Sequence, residues 1–212
     1  MATGNIFKPR GSIGNLVVYP LGEINVIRTK PAYVNDAKSE KQLIHRAKIK
    51  LASRFTKEFY KFIQIGYQET TMDYPSNEAR SYLMRNCFDL TPSGPKMLYP
   101  LVKISRGNIK KPENCVVSTT DDQMQISWKK PEKKDYTDPS DKVMVALLAE
   151  EEDALVSHQI STTAFRKDGS VTLDIPAHNN PLQVWMFFSN SDVAVGESKD
   201  KISDSVWVGE VL

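Results

Sequence analysis

The chain is poor in the residues that carry most enzyme chemistry. It has two cysteines, Cys87 and Cys115, and three histidines, His45, His158 and His178. Two cysteines are too few for a disulfide scaffold or a cysteine-based zinc site. Each is expected as a buried thiol, and nothing in the sequence requires a Cys87–Cys115 bridge. The histidines fall in a basic helix, a strand and a turn, and no two have metal-ligand spacing. There is no HExxH or GxSxG pattern. Gly4, Gly11 and Gly14 match neither GxGxxG nor a P-loop, so no phosphate cradle is expected. No run approaches the ~18–20 apolar residues of a membrane span. The first residues, MATGNIFKPRGS, lack the apolar core of a secretory signal. These absences predict a protein that is not an enzyme, takes no cofactor, metal or small-molecule substrate, and is made in the cytoplasm.

What the chain does have is one long amphipathic segment, Ser39 to Ile65. Ile44, Ala47, Leu51, Phe55, Phe59 and Phe62 recur at steps of three or four and fall on one helical face. Ala52, Ile63 and Ile65 widen that stripe. Ser39 and Gln42 have capping-box spacing, and Gly66 is a plausible stop. The opposite face carries Arg46, Lys50, Arg54, Lys57 and Lys61, all on one line. Such a line can bind phosphates or an acidic partner. It is also what an ordinary solvated helix face looks like.

The small net charge of +2 hides a split. Residues 1–111 hold 19 Lys+Arg against 8 Asp+Glu, a net of +11, and residues 112–212 hold 9 against 18, a net of −9. An asymmetry of that size points to a nucleic-acid partner, or to a subunit that stacks basic face on acidic face. It also predicts two domains, 1–111 and 112–212, joined by a linker in GNIKKPEN near 107–114.

The first domain reads as α+β. Ser12 to Tyr19 and Ile24 to Thr29 are expected as a hairpin around Pro20-Leu21-Gly22-Glu23. A second helix is expected over Ser76 to Cys87 with Ser76 as N-cap, then a loop at Leu90 to Pro95 and an edge strand over Met97 to Ser105. Arg106 before Gly107 could hold a ligand, although a turn residue is the plainer role. The second domain shows seven short strands: Val116–Ser118, Gln123–Trp128, Val143–Ala149, Leu155–Ile160, Ser170–Ile175, Leu182–Ser189 and Ser205–Val211. That many strands in about 100 residues without a helix signal predicts a β-sandwich. Glu150-Glu151-Glu152-Asp153 lies between two of them and is expected as a solvated acidic tip, since it lacks the spacing of a calcium loop. Lys129-Lys130 and Lys133-Lys134 belong to a charged loop. Trp207, between Val206 and Val208, suggests a partly exposed last strand open to edge pairing.

Trp128 in ISWKKP and the run WMFFSNSDVAVGES (Trp185 to Ser198) resemble the second and sixth strands of a fibronectin type III domain. The usual tyrosine of that sixth strand is missing. The resemblance covers roughly residues 113–212 and implies a binding or spacer module. The whole chain is also similar to a family of uncharacterised bacterial proteins. The shared segments are IRTKPAYVNDAKSEKQLIHRAK (Ile27 to Lys48), SYLMRN (Ser81 to Asn86) and KISRG (Lys103 to Gly107). That family starts the helix with Asn-Pro-Arg-Thr-x-x-Gln-x-x-x-Arg; here Asn35, Ser39, Gln42 and Arg46 keep the spacing and the proline is replaced. The capped segment is also similar to one in phage-encoded structural proteins. Together these readings predict a structural or assembly subunit, of a virion or a related surface or injection assembly, that self-associates through the basic stripe and the acidic tip. The alternative is a nucleic-acid-binding protein using the same stripe. A carbohydrate- or peptide-binding sandwich rests on fold analogy alone.

Overall fold

The computed structural model describes residues 10–21, 24–33, 36–67, 74–120, 122–132, 138–151, 154–178, 180–190 and 202–212. These group into two units, Met1–Ser39 and Glu40–Leu212. The division expected between 111 and 112 therefore falls inside the second unit.

The first unit is a three-stranded antiparallel sheet, β1 (Gly11–Ile13), β2 (Leu16–Leu21) and β3 (Ile24–Thr29), paired in the order β1-β2-β3. The segment expected as one strand from Ser12 to Tyr19 is split by a two-residue turn at Gly14-Asn15, which sets Ile13 opposite Leu16. Pro20 and Leu21 extend β2 instead of turning; Gly22 and Glu23 lie outside the described residues.

The second unit opens with three helices: α1 (Glu40–Glu58), α2 (Tyr60–Gly66) and α3 (Pro75–Asn86). The long helix expected from Ser39 to Ile65 is thus interrupted at Phe59, whose ψ of 26 departs from helical values. The hydrogen bonds from Phe59 N–H to Phe55 O (3.1 Å) and from Ile63 N–H to Phe59 O (2.9 Å) carry the chain across the break. α3 starts earlier than expected: its N-cap is Tyr74, two residues before Ser76, and Pro75 takes the first turn, where its missing N–H costs nothing. A hairpin follows, β4 (Phe88–Thr91) with β5 (Gly94–Met97), where a loop was expected. The edge strand expected over Met97 to Ser105 is a short 3-10 turn at Tyr99–Leu101 and an irregular extended segment.

The seven strands expected in the second half are all present: β6 (Val116–Thr120), β7 (Gln123–Ser127), β8 (Lys142–Glu150), β9 (Leu155–Phe165), β10 (Ser170–Asp174), β11 (Leu182–Ser189) and β12 (Val206–Val211). They form two antiparallel sheets in the orders β10-β7-β6 and β12-β11-β8-β9. With the helices, the chain is α+β with a large β content.

Side chains on a strand alternate between its faces, and β8 and β11 are apolar on both. Val143, Val145, Leu147 and Ala149, with Leu182, Val184, Met186 and Phe188, pack against Met124, Ile126 and Trp128 of the other sheet. The intervening Met144, Ala146, Leu148, Trp185 and Phe187 pack against Phe55, Phe59, Phe62 and Ile63. The helices therefore make a third layer on the outer face of the four-stranded sheet. Trp185 meets Phe55 and Phe59 edge-on at 6.1 and 6.0 Å, and Phe62 meets Phe187 at 5.2 Å. This shared core is why residues on either side of 111 belong to one unit.

Candidate interaction surfaces

The helix break divides the basic line. Arg46, Lys50, Arg54 and Lys57 lie on α1 and Lys61 on α2. All but Arg54 are exposed, and Arg54 is half-buried. The apolar side of the same helices is buried from Ala52 onward, while Ile44 and Ala47 are only half covered. Lys50, Lys57 and Lys61 are thus exposed along one side of the helix pair. Charges so placed act over about 10 Å at ~0.1 M salt and over far less at ~1 M.

One contact fixes the break and was not visible in the sequence. Gln159 of β9 accepts from Phe62 N–H (2.9 Å) and donates to Glu58 O (2.9 Å), and Ser157 Oγ donates to the same carbonyl (3.1 Å). The two backbone groups freed by the irregular turn are satisfied by the sheet. The basic line is anchored to β9 by this contact.

The acidic tip is partly structural. The Tyr99 hydroxyl donates to the Glu150 carboxylate, and burial with that hydrogen bond pushes the phenol well above its ordinary range. Tyr99 in turn packs edge-on against Trp185 at 5.8 Å. Glu151 closes the turn through its N–H to Ala154 O (2.7 Å), and its carboxylate accepts from Asn180 at 3.5 Å. Glu152 and Asp153 lie outside the described residues.

His158 and His178, twenty residues apart, come together with Glu151 around an open depression of about 270 Å³ beside Val156 and Leu182. His178 Nδ1 lies 2.7 Å from Pro176 O. Among the described residues no three His, Cys, Asp or Glu side chains have metal-holding geometry. His45 is exposed on α1. Both cysteines are free thiols; burial pushes Cys87 up to about 12 and Cys115 up to about 11. Thiols with such values are not nucleophiles at neutral pH.

Arg106 is held rather than offered. Its guanidinium lies 5.4 Å from the Tyr82 ring centre and 3.4 Å from Glu78, and its N–H donates to Gly66 O at 2.7 Å. The KISRG segment forms the floor of a buried serine network. Ser205 Oγ accepts from Ile104 N–H (2.8 Å), Ser105 Oγ donates to Ser203 O (2.8 Å), and Phe188 N–H donates to Ser203 Oγ (2.9 Å). Lys103 pairs with Asp204, whose other oxygen accepts from Gly107 N–H at 3.2 Å. Two glycines permit this approach: a Cβ on Gly107 would lie 1.8 Å from Ile202 O, and one on Gly66 would lie 2.7 Å from Ile104 O. Lys103 to Gly107 is therefore explained by packing.

Lys129 and Trp207 also find structural roles. Lys129 pairs with Glu132 at 2.8 Å, and Lys133 and Lys134 lie outside the described residues. Trp207 is half-buried against the helical core and donates to Gln183 Oε1 at 2.9 Å. A buried ion pair, Arg166 with Asp141 (2.7 Å), sits with its guanidinium 3.9 Å from the Phe188 ring centre. Burial raises the Asp141 carboxyl while the guanidinium opposes that rise. No described helix is long and apolar enough to cross a membrane.

No curated protein matches the chain. A protein-family model described as a family of unknown function, DUF6266, matches residues 8–209, which is nearly the whole sequence. The chain belongs to this family.

Proposed function

We propose that the chain is a non-enzymatic assembly subunit whose basic helix face docks on the acidic sandwich of the next copy. The observation that carries this reading is the line Arg46, Lys50, Arg54, Lys57 and Lys61, with Lys50, Lys57 and Lys61 exposed, on a helix pair hydrogen-bonded to the sheet through Gln159. The half of the chain that follows carries the complementary charge, −9 against +11. A contact between two different surfaces of one chain is heterologous and builds rings or filaments. Such a unit suits a virion or a related surface or injection assembly.

The two sheets support a fibronectin type III-like sandwich. The first, second and fifth strands of the second half share one sheet, and the third, sixth and seventh share the other, as in immunoglobulin-type sandwiches. The fourth strand, β9, joins the second sheet, and that same sheet carries the helices on its outer side. This makes the sandwich a carrier for the helix pair.

The test is the triple variant Lys50→Gln, Arg54→Gln, Lys57→Gln. It is expected to lose the salt-labile part of the assembly while keeping its thermal stability. An unchanged salt-labile assembly contradicts the reading. Nucleic acid bound by the wild type and released in the variant transfers the line to the alternative, phosphate binding.

A further inference from the structure

We propose that two Lys-Lys-Pro-Glu segments and the buried Arg166 form a binding site for a phosphate-type oxyanion, taken as the free ion or as the phosphate group of a small monoester. The site lies wholly within the second unit and does not depend on association between copies.

Lys110-Lys111-Pro112-Glu113 and Lys129-Lys130-Pro131-Glu132 are the same four residues in the same order. The fold sets them side by side, with Lys129 N–H donating to Glu113 O at 2.9 Å. Trp128, just before the second segment, donates its N–H to Gly169 O and its indole Nε1–H to Arg166 O, both at 2.9 Å. The four lysines, Glu113 and Arg166 thereby line one cleft. In each segment the first lysine pairs with the glutamate three residues on, Lys110 with Glu113 at 3.5 Å and Lys129 with Glu132 at 2.8 Å. The second lysines, Lys111 and Lys130, are exposed and have no ion pair with a described residue. The Lys130 stem crosses Gly169, where a Cβ would lie 2.4 Å from Lys130 Cε, so the turn after Arg166 holds that side chain beside the guanidinium.

Arg166 is the buried member of the cleft, 3% exposed. Its Nε donates to Asp141 Oδ2 at 2.9 Å. Its Nη2 approaches the same oxygen at 2.7 Å but is buried without a hydrogen-bond partner. A guanidinium carries five N–H donors, and buried donors are normally satisfied. The cleft therefore lacks an acceptor oxygen. It encloses about 10 Å³, which is room for about one oxygen-sized atom. A ligand that inserts a single oxygen and keeps its body at the mouth, between Lys111 and Lys130, meets both requirements. The charge agrees. Five cations line the cleft against Glu113, and with Glu132 and Asp141 included the local net charge is +2, within a half of the chain that carries −9. A phosphate group at neutral pH carries about −1.5 to −2 and binds arginine and lysine through charge-assisted hydrogen bonds. The basic line on α1 and α2 has as many cations but no buried guanidinium.

The experiment is isothermal titration calorimetry of the full chain with inorganic phosphate and with phosphoserine, each against sodium chloride at matched ionic strength. Saturable binding of at least one is expected, with phosphate favoured if the free ion is the ligand and phosphoserine if a monoester is; either result upholds the site. The variant Lys111→Gln, Lys130→Gln changes only exposed side chains, and an unchanged thermal midpoint without ligand verifies its fold. It is expected to bind about tenfold or more weakly, the scale of one lost charge-assisted hydrogen bond. The control Lys50→Gln, Lys57→Gln on the helix line is expected to bind as the wild type does. No saturable heat up to ~10 mM of either ligand, tenfold above a dissociation constant of ~1 mM, overturns the proposal, and this arm needs no variant to fold. Heat matched by the sodium chloride titration overturns it as well. So does undiminished binding by the Lys111→Gln, Lys130→Gln variant, or an equal loss in the helix-line control.

Discussion

Gln159 and Phe62 meet across the helix–sheet interface, with the Phe62 N–H donating to Gln159 Oε1 at 2.9 Å. The same side chain donates from Nε2 to Glu58 O. One amide thus satisfies both ends of the irregular turn at Phe59. Gln159→Leu removes donor and acceptor together and leaves two backbone groups without their partner. The expected loss is about 1–3 kcal/mol in denaturant unfolding. Ser157→Ala, which leaves Gln159 on Glu58 O, should cost clearly less. Equal costs for the two would show that Gln159 has no special part in holding the break.

The Lys103 to Gly107 segment makes a sharper prediction. Gly107→Ala puts a methyl group 1.8 Å from Ile202 O, where backbone on both sides resists movement. We expect a loss above ~4 kcal/mol, or failure to fold, the class of effect reserved for special backbone sites. Gly66→Ala, with its nearest atom at 2.7 Å, should be harmful but milder. A Gly107→Ala protein with wild-type stability would mean that the close approach is not present in solution.

How much of this was legible in the sequence follows from which physical signal each element carries. The seven sandwich strands announced themselves as short runs bounded by turn residues. Phe55, Phe59 and Phe62 announced the buried helix face by their spacing. The shared core did not, although its signal was present. MVALLA in β8 and VWMFF in β11 are apolar at successive positions, and a strand with no polar face needs cover on both sides. The β4–β5 hairpin was hidden because Leu90, Pro95 and Gly94 have turn or edge chemistry and little alternation. Gln159 lies 97 residues from Phe62, and no local pattern marks that pairing. The helical placement of Arg46, Lys50, Arg54 and Lys57 was legible from their period, whereas the break that puts Lys61 on a second helix was not.

The buried pair Arg166–Asp141 predicts non-additivity. Asp141→Asn leaves a guanidinium that is 3% exposed without its carboxylate, and should cost about 3–5 kcal/mol. The double variant Asp141→Leu, Arg166→Met removes both charges and should recover most of that loss. The check is a double-mutant cycle by chemical denaturation. A double variant as unstable as the single one would show that hydrogen bonding, not charge burial, dominates the site.

The thiols predict both reactivity and a pH effect. Burial holds Cys115 up to about 11 and Cys87 up to about 12, against 9.0 ordinarily. A thiol reagent at neutral pH should label neither at the rate of an exposed cysteine, and Cys115 should react before Cys87. Because both folded values are raised, the stability these groups contribute is complete below the ordinary value of 9.0 and is lost as pH rises toward 11–12. Cys87→Ala, Cys115→Ala should flatten that alkaline decline. Rapid labelling of both thiols in the native protein would contradict the burial on which this rests.

The most direct measurement of the central claim is the solution mass of the intact chain as salt is raised from ~0.1 M to ~1 M, with absorbance read for nucleic acid. The account predicts a nucleic-acid-free assembly whose mass falls with salt, because its basic helix face and acidic sandwich hold copies together by exposed charge. A chain that is monomeric at both salts would contradict it.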